Sequence, residues 1–296
     1  MSLKIFITGA NGFIARNVIE QLGSKYNLVA PSHKELGLSD TRSVDQFFLR
    51  HKRFDVVIHT ANIGGTRKAN DSCQTFLSNL KIFFNIVRNE NKFDKLINLG
   101  SGAEYGKQGL IISVREKDFD KRVPEDFYGF YKYVCSQLIE NHDKFINLRL
   151  FAVYGKYEDY QIRFISNAIC KSILGFPITI NKNAFFDYLY IDDLVKIIDF
   201  FINHKTTFRV FNVGRGKATD LLTIAKKINK IALKKQKIIV RNKELGNEYT
   251  CDNSRLLDEI RKFKFSDFDK TLEDLYKWYS SIKSNLKKES FYNDYF

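Results

Sequence analysis

Cysteine is scarce in this chain, and its four copies, Cys73, Cys135, Cys170 and Cys251, share neither C-x-x-C spacing nor paired histidines. That scatter argues against a zinc site and a disulfide framework, so the cysteines are expected to be reduced packing residues, with no metal bound. Proline is rarer still, with 3 copies in 296 residues, and no proline-rich linker divides the chain. No apolar run approaches the roughly 18 residues that a membrane-crossing helix needs. The amino end lacks a basic stretch followed by an apolar core and a cleavage site, so a cytoplasmic enzyme without a membrane partner is expected.

Acidic residues are the other shortage: 34 against 48 basic ones, a formal net charge of +14. Such an excess raises the question of nucleic-acid binding, which its distribution answers. Much of it falls on Lys226, Lys227, Lys230, Lys234, Lys235, Lys237 and Lys243. Leu221, Leu222, Ile224, Ala225, Ile228 and Ile231 recur there at helical spacing, so the lysines coat the solvent face of an amphipathic helix. No helix-turn-helix, zinc finger or RNA-binding signature accompanies them, and no nucleic-acid partner is expected. A positive field still favours a phosphorylated or nucleotide-linked substrate.

What the chain does have begins at Ile5-Phe-Ile-Thr-Gly-Ala-Asn-Gly-Phe-Ile-Ala15. An apolar run ends in a glycine turn that opens an amphipathic segment, which reads as strand, phosphate-cradling loop and helix N-terminus. Gly9 permits the turn, Gly12 lets backbone N–H groups approach a pyrophosphate, and Ala15 takes the third glycine's place. Further strand-like runs at Asn27–Ala30, Asp55–His59, Lys95–Leu99 and Ile146–Phe151 alternate with helical patterns near 12–23, 41–51, 70–91 and 128–143. Alternation of this kind predicts an α/β fold, a doubly wound parallel sheet with helices on both faces. Phe185–Ile191 and Val210–Val213 read as later members of the sheet. The expected division is a dinucleotide-binding domain of 1–154 plus about 184–214, with a smaller α/β substrate-binding lobe of about 155–183 plus 215–296.

Tyr128 and Lys132 lie four residues apart, so on a helix they share one face. An ammonium there favours the phenolate, allowing the tyrosine to exchange a proton with a sugar oxygen. The spacing alone is weak evidence, because Tyr279 and Lys283 repeat it far from any glycine turn and Tyr131 stands beside it as a packing residue. Leu99-Gly-Ser-Gly-Ala-Glu-Tyr-Gly106 adds a hydroxyl, Ser101, at the carboxyl end of a buried strand, where it can hydrogen-bond the same substrate oxygen.

Together with His59-Thr-Ala-Asn62, Asn79, Leu148-Arg-Leu-Phe-Ala-Val-Tyr-Gly155, Asp187-Tyr-Leu-Tyr-Ile-Asp-Asp193 and Phe211-Asn-Val-Gly214, these motifs resemble the extended short-chain dehydrogenase/reductase family of nucleotide-sugar epimerases, dehydratases and reductases. The chain looks most similar to the family's GDP-fucose synthase-like 4-ketoreductases, through Lys34–Asp40, Ile63-Gly-Gly65 and Leu99-Gly-Ser101. The resemblance implies catalysis by Ser101, Tyr128 and Lys132. It implies nicotinamide dinucleotide contacts from Gly9, Asn11, Gly12, Phe13, Ile14, Ser32, His33, Lys34, Leu38, Thr60, Ala61, Asn62, Leu99, Phe151 and Val153, together with Tyr128 and Lys132. Substrate contacts are expected at Gly102, Ala103, Ala152, Arg163 and Arg209, and a homodimer through helices near 70–91 and 128–143.

The departures narrow the expectation. Ala103 stands where the fucose synthases carry a proton-shuttling cysteine, and no histidine occurs between His142 and His204. Phe186 replaces a common diphosphate-gripping arginine, and Ala152 a frequent asparagine, leaving Lys156, Arg163 or Arg209 as phosphate contacts. Ala30-Pro-Ser-His-Lys34 ends the second strand with no acid to meet a ribose hydroxyl, which favours NADP(H) over NAD(H). Arg16, one turn into the first helix, is a further candidate for that phosphate.

The expected activity is NADPH-dependent reduction of a keto group on a nucleotide-linked or phosphorylated sugar, a 4-keto-6-deoxy sugar first, without epimerisation, in cell-surface polysaccharide biosynthesis. Two alternatives stand beside it: a nucleotide-sugar 4-epimerase holding NAD tightly, and a non-catalytic NADP(H)-binding sensor or scaffold.

Overall fold

The computed structural model describes residues 2–65 and 71–292, so residue 70, where one helical pattern was expected to begin, lies outside the described residues. The first half runs β1 (Lys4–Thr8), α1 (Phe13–Leu22), β2 (Asn27–Val29), α2 (Thr41–His51), β3 (Phe54–His59), α3 (Cys73–Val87), β4 (Phe93–Ser101), β5 (Ile111–Val114) and α4 (Phe127–Glu140). It continues through β6 (Phe145–Leu150), β7 (Ala152–Tyr154), α5 (Phe164–Leu174), β8 (Ile178–Asn183), β9 (Phe185–Tyr190), α6 (Ile191–Asn203) and β10 (Val210–Val213). The remainder comprises β11 (Ala218–Asp220), α7 (Leu221–Ile231), β12 (Ile238–Leu245), β13 (Tyr249–Cys251), α8 (Ser254–Glu259) and α9 (Phe268–Ser281).

Six strands form a parallel sheet in the order β10-β6-β4-β3-β1-β2. The strands are apolar nearly throughout, as burial on both faces demands. On one face, Phe6, Phe47, Phe48, Phe54, Phe83, Phe93 and Phe145 build a phenylalanine-rich core under α2, α3 and α4. On the other, Ile5, Ile7, Ile58, Ile97 and Leu148 pack with Val18 of α1 and Ile197 and Ile198 of α6. Helix starts are fixed locally, with Asp40, Ser72 and Asp126 accepting backbone N–H bonds at the heads of α2, α3 and α4. The order of connection reverses at β1, which has β2 on one side and β3 on the other. Loops leaving β1 and β3 therefore diverge at their carboxyl ends and open a crevice there.

A second, smaller sheet has the order β11-β9-β13-β5, with β7 paired in parallel to β9. Here the structure corrects one expectation: Phe185–Tyr190 belongs to this sheet and not to the central one, pairing with β7, β11 and β13. Val210–Val213 does join the central sheet, beside β6. The run 184–214 is consequently split between sheets, because β7 turns off the end of β6 and takes β9 as its partner. In a third, two-stranded sheet, β8 pairs with β12.

Candidate active site

The crevice is a cavity of about 650 Å³ whose wall is shared by both sheets. One end of it is built by the first turn. Gly9 has φ +71°, and a Cβ there would stand 2.9 Å from the Ala61 Cα, so only glycine lets the loops after β1 and β3 touch. The Gly12 N–H closes the turn on the Gly9 carbonyl at 2.8 Å. Gly12 caps α1 without a side-chain hydrogen bond, and no acid stands in the first turn. An open helix N-terminus of this kind attracts phosphate. Phe13, Ile14, Thr60 and Asn62 line the cavity beside it. Asn79 holds that wall in place, accepting from the Ile63 N–H at 2.8 Å and donating to its carbonyl at 2.7 Å.

The polar centre lies at the end of β4. Ser101 accepts the Ala103 N–H at 3.1 Å, and its own N–H donates to Glu104 at 2.8 Å, a reciprocal cap on the following 3-10 turn. Glu104 is fully buried and pairs with the equally buried Arg149 at 2.6 Å, which fixes the turn from below. Lys132, buried on α4, donates to the Leu99 carbonyl at 2.6 Å and sits 5.9 Å from the centre of the Tyr128 ring. A second ammonium, Lys107, lies 5.1 Å from the centre of that ring. Gly65, at φ +73°, passes so close that a Cβ would fall 2.6 Å from the Tyr128 ring. Ser101, Tyr128 and Lys132 thus face one cavity together.

His59 lies beneath them, bonded through Nδ1 to the Thr8 hydroxyl at 3.0 Å. Burial, with Lys132 nearby, pushes its pKa down to about 3, so it stays neutral. Glu158 also reaches the wall, where burial pushes its pKa up to about 8 despite a 2.5 Å bond from Ser166.

Of the other expected contacts, Leu99, Phe151, Val153, Ala152 and Arg163 line the cavity. Several do not. Arg209 stands at the opposite end of the central sheet, just before β10, where it pairs with Asp143 at 3.6 Å; a residue entering a strand cannot reach the strand's carboxyl edge. Ala103 and Gly102 are buried, Gly102 against Tyr249 and Phe151, and neither is among the residues that line the cavity. Lys156 pairs with Glu20, and Arg16 stacks on Tyr157 at 3.7 Å. Ala61 donates its N–H to Thr8. Leu38 packs on the phenylalanine core, its carbonyl held by Asn85. Asn11, His33 and Lys34 are exposed and do not line the cavity, and Ser32 donates its N–H to Glu35 at 2.7 Å.

Sequence reasoning missed Tyr249, Asn247, Glu248 and Lys107, all of which line the cavity. Tyr249 lies 148 positions from Ser101, and its hydroxyl comes within 3.3 Å of the Ser101 Oγ. No local pattern marks that meeting, since it follows from β13 pairing with β5 and β9.

A glycine turn at a topological switch point, with serine, tyrosine and lysine gathered at the next strand end, defines a nicotinamide-dependent oxidoreductase of the extended short-chain dehydrogenase/reductase type. The chain belongs to the NAD dependent epimerase/dehydratase family, whose model matches residues 5–214. It is 24% identical to GDP-L-colitose synthase of Yersinia pseudotuberculosis over 96% of this chain and 100% of that one. Among solved structures it is similar to the GDP-mannoheptose C4 reductase of Campylobacter jejuni with NADP bound, with a TM-score of 0.81, 21% identity, and coverage of 94% and 98%. It is similar too to the UDP-glucose 4-epimerase of Thermus thermophilus in complex with NAD, with a TM-score of 0.78, 18% identity, and coverage of 93% and 98%.

Proposed function

We propose that the protein reduces a keto group on a nucleotide-linked or phosphorylated sugar, a 4-keto-6-deoxy nucleotide sugar first, using NADPH. The observation that carries this reading is the convergence of Ser101, Tyr128 and Lys132 on one cavity beside an open helix N-terminus. The turn at Gly9–Ile14, with Thr60 and Asn62, would hold the dinucleotide. When bound there, the reduced cofactor supplies the hydride.

The chain's own residues supply the rest. Ser101 donates a hydrogen bond to the carbonyl oxygen, and the bond strengthens as negative charge develops there. Tyr128 gives that oxygen its proton, completing the alcohol. Lys132, held by the Leu99 carbonyl, places a positive charge where it stabilises the phenolate left behind. Solvent then restores the tyrosine's proton.

Ala103 carries no acid or base, and neither histidine nor cysteine lines the cavity among the described residues. This supports reduction without inversion of neighbouring carbons. Exposed His33 and Lys34 beside β2 support NADPH as the reductant. Leu77 and Phe84 on α3 and Phe127 on α4 are large exposed apolar side chains, which supports a homodimer through these helices. No helix among the described residues is long and apolar enough to cross a membrane.

The reading is tested by incubating the protein with NADPH and a panel of keto-sugar nucleotides and keto-sugar phosphates while following absorbance at 340 nm. Loss of absorbance with one member is expected; turnover of a sugar nucleotide without NADPH oxidation would contradict it.

A further inference from the structure

The Ser101 hydroxyl has one hydrogen to donate and two lone pairs to accept with. One lone pair takes the Ala103 N–H at 3.1 Å. The only other protein polar group bonded to the Oγ among the described residues is the Tyr249 hydroxyl at 3.3 Å. Two arrangements satisfy the pair. If Ser101 donates to Tyr249, its hydrogen is spent and it can offer a substrate carbonyl nothing. If Tyr249 donates to Ser101, both lone pairs are filled and the serine hydrogen is free to point into the cavity.

Construction around the phenol favours the second arrangement. Tyr249 packs within 4.9 Å of Phe151 and 6.4 Å of Phe186, and the Ser101 Oγ is the only hydrogen-bond partner of its hydroxyl among the described residues, so a phenol that did not donate there would leave its own hydrogen unpaired. Gly102 makes the approach possible, because a Cβ there would fall 2.6 Å from the phenol oxygen and 2.8 Å from Phe151. The strand that carries Tyr249 pairs with β5 and β9 on either side, so the hydroxyl is held by backbone and not by a free loop.

We infer that Tyr249 is a positioning residue, whose hydroxyl donates to the Ser101 Oγ and so directs the serine hydrogen at the substrate oxygen. The second sheet thereby sets the polarity of a group on the first. This inference rests on the reductase reading, in which Ser101 is a donor to the carbonyl.

The test is a double-mutant cycle on the full chain, with kcat and KM measured alongside NADPH affinity and melting temperature. Tyr249→Phe keeps the ring and its contacts and is expected to lower kcat about tenfold, with KM and NADPH affinity within about twofold of wild type. Ser101→Ala is expected to lower kcat about a hundredfold, and Tyr249→Phe added to it should change nothing further. Full activity in Tyr249→Phe, or an equal tenfold loss with and without the serine, would overturn the inference while leaving the reading intact. Unchanged turnover in Ser101→Ala would overturn the role of the serine and the inference with it.

Discussion

The two ends of the cavity are assembled by different rules. At the proposed dinucleotide end, Phe13 and Ile14 after β1, Thr60 and Asn62 after β3, and Ser101 closing β4 all sit within a few residues of a strand's carboxyl end. At the proposed substrate end, the wall is gathered from Lys107, Arg163, Phe186 and Tyr249, which belong to four separate segments. The first end is fixed by the parallel sheet itself, whose ladder register lines up the carboxyl ends of β1, β3 and β4. The second depends on how β13 threads between β5 and β9. One fold can therefore keep its redox partner while its substrate changes through residues that no motif records.

Changes at the junction of the two ends should have the largest effect. Tyr128→Phe is expected to lower kcat about a thousandfold while NADPH affinity, read by fluorescence titration, stays put. Gly65→Val places a side chain where the Tyr128 ring now lies and forces valine to φ +73°; kcat should fall about a hundredfold, because the phenol is moved from its place. If Gly65→Val left turnover untouched, the tight approach of that loop would have no bearing on chemistry. Beyond β2, Lys34→Glu should lower the preference for NADPH over NADH about tenfold in kcat/KM, by repelling a 2′-phosphate.

The smallest effect concerns stability at the substrate end. Glu158 titrates near 8 in the folded protein against 4.5 as an ordinary carboxyl, because burial disfavours its charge. The folded state holds the proton more tightly, so this group's contribution is fully present below pH 4.5 and is lost as pH rises through about 8. Glu158→Gln removes that dependence. Melting temperatures by calorimetry should show the variant gaining on the wild type between pH 5 and 8, and a constant difference across that range would contradict it.

The same contrast explains what could be read from the chain. β1, the glycine turn, α4 with Tyr128 and Lys132, and Ser101 were legible because apolar period, turn chemistry and one-face spacing are all local. β9 was misplaced because Phe185–Tyr190 is apolar enough for either sheet, and only its pairing with β7 decides. Arg209 looked available as a charge, yet its position just before β10 puts it at the wrong end of the sheet. Ala103 and Gly102 lie in a motif that touches the site, but the capping turn rolls both beneath it. Tyr249 was invisible because nothing within its own segment announces a partner so far away in the chain.

The central claim is that Ser101, Tyr128 and Lys132 together complete a net reduction. Its most direct test is turnover of a keto-sugar nucleotide with NADPH carrying deuterium at the transferable position, followed by mass spectrometry of the product. One deuterium on the new carbinol carbon for each NADPH oxidised is the expected result; a sugar product free of deuterium, with the NADPH unspent, would contradict the account.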